Sequence, residues 1–133
     1  MDLLCLQQYL RQTLGAYAPL AALIAERIYD RVPGNSDFPY LTLDVSDGVD
    51  DSLDCLDQWL VTAQVHVWSR AVGSPESRRI AIACHQALAE RWPSMPGFRV
   101  MWFRTLNQVW MRDPDGLTTH GVLQFESRYG PEE

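Results

Sequence analysis

The chain has 133 residues, 47% hydrophobic and 21% charged, which describes a single domain over 1–133 with a core of its own rather than a disordered chain. No apolar run approaches the roughly 18 residues needed to cross a bilayer, and the start Met1-Asp2-Leu3 lacks the basic region of a secretory signal. The formal net charge is -6 and all eleven basic residues are arginine, which does not describe a DNA-wrapping protein, since that needs clustered positive charge.

Leu3, Leu6, Leu10 and Leu14 fall at helical spacing, so residues 2–14 predict an amphipathic helix with Asp2 as its cap and Gly15 as its stop. A second short helix fits Pro19 to Glu26, with Leu20, Leu23 and Ile24 facing inward. Ile28 to Pro33 follows as a short strand. Pro39 then opens the next one, where its missing N–H does least harm, and Tyr40 to Val45 alternate with the period of a half-buried strand.

Residues 46–57 carry five aspartates: Asp47, Asp50, Asp51, Asp54 and Asp57. Their spacing does not match an EF-hand loop, so the expectation is a solvated, mobile loop, or an acidic lining of a lumen if the chain forms a ring. From Trp59 to Ser69 the alternation is clean, with Val61, Ala63, Val65 and Val67 on a face suited to lie under a helix. His66 and Trp68 fall on the other face. A large aromatic there is a candidate interface residue, the alternative being a loop that covers it.

Ser74-Pro75-Glu76 opens a helix whose inward stripe is Ile80, Cys84, Ala87, Leu88 and Arg91 or Trp92, with Glu90 outward and Pro93 to Gly97 ending it. Two long strand-type runs close the chain around Asp113-Pro114-Asp115-Gly116, in which Pro114, Asp115 and Gly116 set the turn. Such a hairpin exceeds the thickness of a small domain, so it either bends at a bulge or projects past the body. Simple alternation puts Val100, Trp102, Arg104 and Leu106 on one face and Met101, Phe103, Thr105 and Val109 on the other. Both faces are apolar, which calls for a second cover from a neighbouring subunit or for a bulge that swaps faces. Trp102, Arg104, Trp110 and Arg112 join His66 and Trp68 as candidate subunit-interface residues. The element order gives an α+β fold: a mostly antiparallel sheet of four to five strands, with a helical hairpin and one long helix on one face.

No catalytic, cofactor-binding or metal-binding constellation is visible. His66, His85 and His120 stand as single, distant residues, and Cys5, Cys55 and Cys84 are widely spaced, as expected of reduced thiols in a cytosolic setting. There is no phosphate loop and no nucleophile elbow.

Five pieces in order carry a resemblance: Arg27-Ile28-Tyr29-Asp30-Arg31-Val32-Pro33; Phe38-Pro39-Tyr40-Leu41-Thr42-Leu43; Val65-His66-Val67-Trp68-Ser69-Arg70; the alanine-rich helix at 76–92; and Arg112-Asp113-Pro114-Asp115-Gly116 through Phe125. Together the chain resembles the bacteriophage tail-completion or head-to-tail joining proteins, relatives of the tail terminators of long-tailed phages and gene-transfer agents. The acidic stretch 46–57 matches no shared motif. The resemblance implies a structural subunit of the virion neck, not an enzyme, assembled in the bacterial cytoplasm into a ring, a hexamer, at the head-proximal end of the tail tube. It would contact the tail tube protein and the head connector or stopper, with DNA passing through the lumen unbound and no membrane involved. A small enzyme or ligand-binding α+β module is the alternative.

Overall fold

The structure, a computed structural model, describes residues 1–89 and 95–132. In chain order the elements are α1 (Leu4–Gly15), α2 (Ala18–Ile24), β1 (Ile28–Tyr29), β2 (Tyr40–Asp50), β3 (Trp59–Ser69), α3 (Pro75–Ala89), β4 (Phe98–Arg112) and β5 (Thr119–Pro131). The expected roles of Glu90, Arg91, Trp92, Pro93 and Ser94 lie outside the described residues.

The strands form one five-stranded sheet in the order β1-β2-β3-β5-β4. All pairs are antiparallel except β1 with β2, which is parallel and only two residues long, so the sheet is mixed. The strand expected to reach Pro33 stops at Tyr29. The α+β expectation, with helices on one sheet face, holds.

Alternation makes the core. Val61, Ala63, Val65 and Val67 of β3 are fully buried beneath the helices, with Leu41 of β2 and Leu123, Phe125 and Tyr129 of β5. From the helix side come Leu6, Leu10 and Leu14 of α1, Leu20 and Ile24 of α2, and Ile80 and Cys84 of α3. Each large apolar side chain removed from water in this way contributes about 1.5–3 kcal/mol. The Asp2 carboxylate accepts a hydrogen bond from the Cys5 backbone N–H at 3.1 Å at the start of α1, and the Tyr129 hydroxyl donates to the Asp2 carbonyl at 2.6 Å. That last bond ties the first residues to the interior strand β5.

The acidic stretch is not a twelve-residue loop. β2 continues through Asp47 and Asp50, pairing with Thr62 and Trp59 beyond a register shift between Asp44 and Asp47. Ladder hydrogen bonds come from the backbone, so aspartate side chains that point to water do not prevent them. Gly48 lies under the N-terminal residues, where an added Cβ would sit 2.9 Å from a Leu3 methyl. The turn proper is short: the Asp51 N–H donates to the Gln58 carbonyl, and Leu53 and Leu56 exchange backbone bonds around Asp54 and Cys55.

The closing hairpin bends instead of projecting. β4 carries register shifts between Val100 and Trp102 and between Thr105 and Asn107, so Met101 and Leu106 are the extra residues of two bulges. The simple two-face reading of β4 is therefore corrected. Val100, Phe103 and Thr105 pair with Tyr129, Ser127 and Phe125 on the helix side, whereas Trp102, Arg104 and Val109 pair with Arg128, Glu126 and Val122 on the open side. The buried Ser127 hydroxyl donates to the Trp102 carbonyl at 2.8 Å beside the first bulge.

Candidate functional site

The helices leave one sheet face open, and that face has an order set by strand register. At the end nearest the β4–β5 turn, Tyr40, Trp68, His120 and Met111 stand side by side across β2, β3, β5 and β4. Then come Thr42, His66, Val122 and Val109, followed by the polar row Asp44, Gln64, Gln124 and Asn107. At the far end Val49, Leu60, Arg128 and Trp102 return it to mixed apolar and charged character.

The first rows form an aromatic ladder. The Trp68 and His120 rings stack with centroids 3.7 Å apart and planes 12° apart, and Tyr40 continues the stack towards Phe38. The Trp68 indole N–H donates to Thr42 Oγ1 at 3.1 Å. His66 Nδ1 lies 2.8 Å from His120 Nε2, and His66 Nε2 lies 3.1 Å from the Gln64 side-chain oxygen. Assigned from these partners, His66 carries its proton on Nε2 and accepts from His120 at Nδ1. The expectation of isolated histidines is corrected for this pair. β5 enters the sheet beside β3, out of chain order, and brings His120 against His66. His85 stays apart on α3, bonded to Thr105 Oγ1 at 3.1 Å.

Burial, the leading cause, pushes the pKa of both His66 and His120 below the ordinary 6.5; nearby Asp44 and Asp113 oppose this, while His66 adds to the depression of His120. An unfolded chain takes up protons near 6.5 while the folded pair is still neutral, so stability is full above that pH and falls as pH drops below it. Thermal melts at pH 7.5 and 5.5 are expected to show a lower midpoint at pH 5.5, with His120→Gln reducing the difference. Equal midpoints for the unaltered protein would contradict the pairing.

The other expected interface residues divide between the two sides. Trp102 lies on the open face between two guanidinium groups, Arg104 at 4.6 Å and Arg128 at 5.5 Å from its ring centroid. Arg104 is also ion-paired to Glu126 at 2.9 Å. Trp110 is turned to the helix side by the second bulge. Its indole covers Gly121, where a Cβ would overlap the ring, and Arg78 lies over it at 4.6 Å. Arg112, the last residue of β4, lines a cleft of about 650 Å³ at that end of the sheet.

The turn residues have structural partners. Asp115 accepts from the backbone N–H groups of Leu117 and Thr118 and from the Thr118 hydroxyl at 2.7–2.9 Å, which holds its carboxyl below the usual range. Gly116 takes φ 71°, a region that favours glycine. Arg70, just after β3, binds the turn, donating to Thr118 Oγ1 and pairing with Asp115 at 3.7 Å, and it lies over Phe38. Pro39 follows a cis peptide bond, and its carbonyl accepts from Arg27. Among the described residues no group of three or more His, Cys, Asp or Glu could hold a metal ion, and no helix is long and apolar enough to cross a membrane.

The α+β domain thus carries its helices on one sheet face and leaves an aromatic-bearing face uncovered. The sequence model of the family described as tail completion protein gp17 matches residues 8–130, and the chain belongs to that family. Among solved structures, a chain in the virion of a native gene transfer agent particle superposes with a TM-score of 0.86 at 26% identity, covering 93% of each chain. The gp17 protein of bacteriophage SPP1 superposes with a TM-score of 0.61 at 22% identity, over 94% of this chain and 88% of that one, a likeness of fold. A search of curated proteins gave no match.

Proposed function

We propose that the chain is a structural neck protein of a phage-type particle, forming a ring, a hexamer, at the head-proximal end of the tail tube. There it caps tail growth and joins the tail to the head connector while DNA passes through. The observation that carries this reading is the family match over residues 8–130, supported by the superposition along 93% of a chain from a virion. The open sheet face supplies the contact surface, and a net charge of -6 limits phosphate adhesion during DNA passage. The role is structural rather than catalytic. A monomer with one deep polar pocket between helices and sheet would favour a ligand-binding module instead.

Deleting the coding sequence from the producing particle is the direct test. Heads without tails, or tails of uncontrolled length, are expected by electron microscopy. Normal-length tails joined to heads would sink the proposal. Trp68→Ala and Trp102→Ala are expected to reduce assembly on tail tubes about tenfold or more and to harm folding less than assembly, because both rings lie on the open face. A variant that simply unfolds would place the ring in the core instead.

A further inference from the structure

The two ends of the sheet differ in charge. At one end the β2–β3 turn presents Asp54 and Asp57 beside Leu53, all exposed, and Leu53 is 64% open to solvent. Asp51 is already paired with Arg128 at 2.7 Å, and Asp50 with the Ser52 hydroxyl at 2.6 Å, so Asp54 and Asp57 are the turn's uncommitted carboxylates among the described residues. At the opposite end lies the cleft of about 650 Å³, between the β3–α3 loop and the β4–β5 turn. Arg70, Arg78 and Arg112 line it with Val72, Trp110 and Leu117, and among the described residues no acidic one contributes to its wall. Arg70 is engaged by Asp115, but among the described residues neither Arg78 nor Arg112 has a carboxylate partner. Val72 is fully exposed and Leu117 is 68% exposed.

The cleft thus offers two guanidinium groups without a carboxylate partner, Arg78 lying over Trp110, beside the exposed apolar side chains Val72 and Leu117, and the turn offers unpaired carboxylates beside an exposed leucine. They cannot meet within one molecule. β3 runs its full length between them, from Trp59 next to the turn to Ser69 next to the cleft, about 33 Å at the usual rise of a strand.

We infer that the β2–β3 turn of one copy seats in the arginine-lined cleft of the next, with Leu53 against Trp110 and Leu117 and with Asp54 and Asp57 facing Arg78 and Arg112. The contact deepens the proposed ring and rests on it. Because the two surfaces are different patches at opposite ends, the association is head-to-tail, and it closes into a ring when the rotation between successive copies closes. The carboxylates of residues 54 and 57 then belong to a subunit contact rather than to the lumen.

Charge reversal tests it. Asp54→Arg and Arg112→Asp alter exposed side chains, and unchanged melting midpoints would show that both variants fold. Each alone is expected to weaken association, read by light scattering or by occupancy of tail tubes, by roughly tenfold or more. Mixed in equal amounts they should recover it. The arginine turn of the first meets the acidic cleft of the second, and the remaining turn and cleft are unaltered. A single variant that assembles like the parent, or a mixture that stays apart, overturns the inference. A cleft variant that fails while the turn variant succeeds assigns the cleft to some other acidic partner and overturns it as well. A second measurement leaves the charges alone: Leu117→Cys with the native Cys55, mildly oxidised, should give a ladder of covalent multimers beyond the dimer. The ladder should vanish in Leu117→Cys with Cys55→Ala. Oligomers without that ladder overturn this contact but leave the ring; a parent protein that stays monomeric alone and on tail tubes removes both.

Discussion

Truncating Phe125 to alanine is expected to lower the free energy of unfolding by about 3–5 kcal/mol, a large share of the roughly 5–15 kcal/mol of a domain this size. The ring is fully buried on the interior strand β5 and stacks on Phe103 with centroids 5.5 Å apart. Its cross-strand neighbours are Ala63 on β3 and Thr105 on β4, both too short to move into the space it would leave. The cavity would persist, and a persistent cavity adds to the lost transfer energy. Urea unfolding followed by tryptophan fluorescence measures the change. A loss under 1 kcal/mol would mean that the helices settle onto the sheet to fill the gap.

Gly130→Ala is expected to cost about 3 kcal/mol for the opposite reason, too much volume instead of too little. A Cβ at that position would overlap the Asp57 carbonyl oxygen and lie 3.0 Å from Gln58 Cα, both backbone atoms. No rotamer change relieves such a clash, so β5 or the base of the β2–β3 turn must shift. Gly121 makes a useful contrast, because there the obstacle is the Trp110 side chain, which can swing aside. Gly121→Ala should therefore cost less than Gly130→Ala in the same denaturation experiment. The reverse order would contradict the geometry.

The sequence was most legible where burial repeats on one face. The stripe Leu6, Leu10 and Leu14, the stripe Ile80, Cys84 and Leu88, and the alternation from Val61 to Val67 each report a single core-facing side, and each is buried as expected. β4 was less legible, because a bulge depends on the partner strand and leaves no period of its own. One extra residue at Met101 was enough to separate Val100 from Trp102. Polarity misled at Asp47 and Asp50, where side chains suited to a loop sit on a paired backbone. The His66–His120 contact was hidden by topology, since chain order does not say that β5 lies between β3 and β4. Its one available clue was the pair of polar-face aromatics, Trp68 and His66, which needed a neighbour.

The position of β5 also has a consequence for when a copy becomes competent to assemble. β4 pairs only with β5, and β3 keeps an open edge until Thr119–Pro131 is laid against it. The β3–β5 contacts join strands far apart in sequence, the slow kind to form. The arginine cleft has one wall from the loop after β3 and the other from the turn before β5, so it does not exist until that pairing is complete. In the proposed turn-in-cleft contact, a half-folded copy would have no cleft to receive a neighbour's turn and would end a growing chain of subunits.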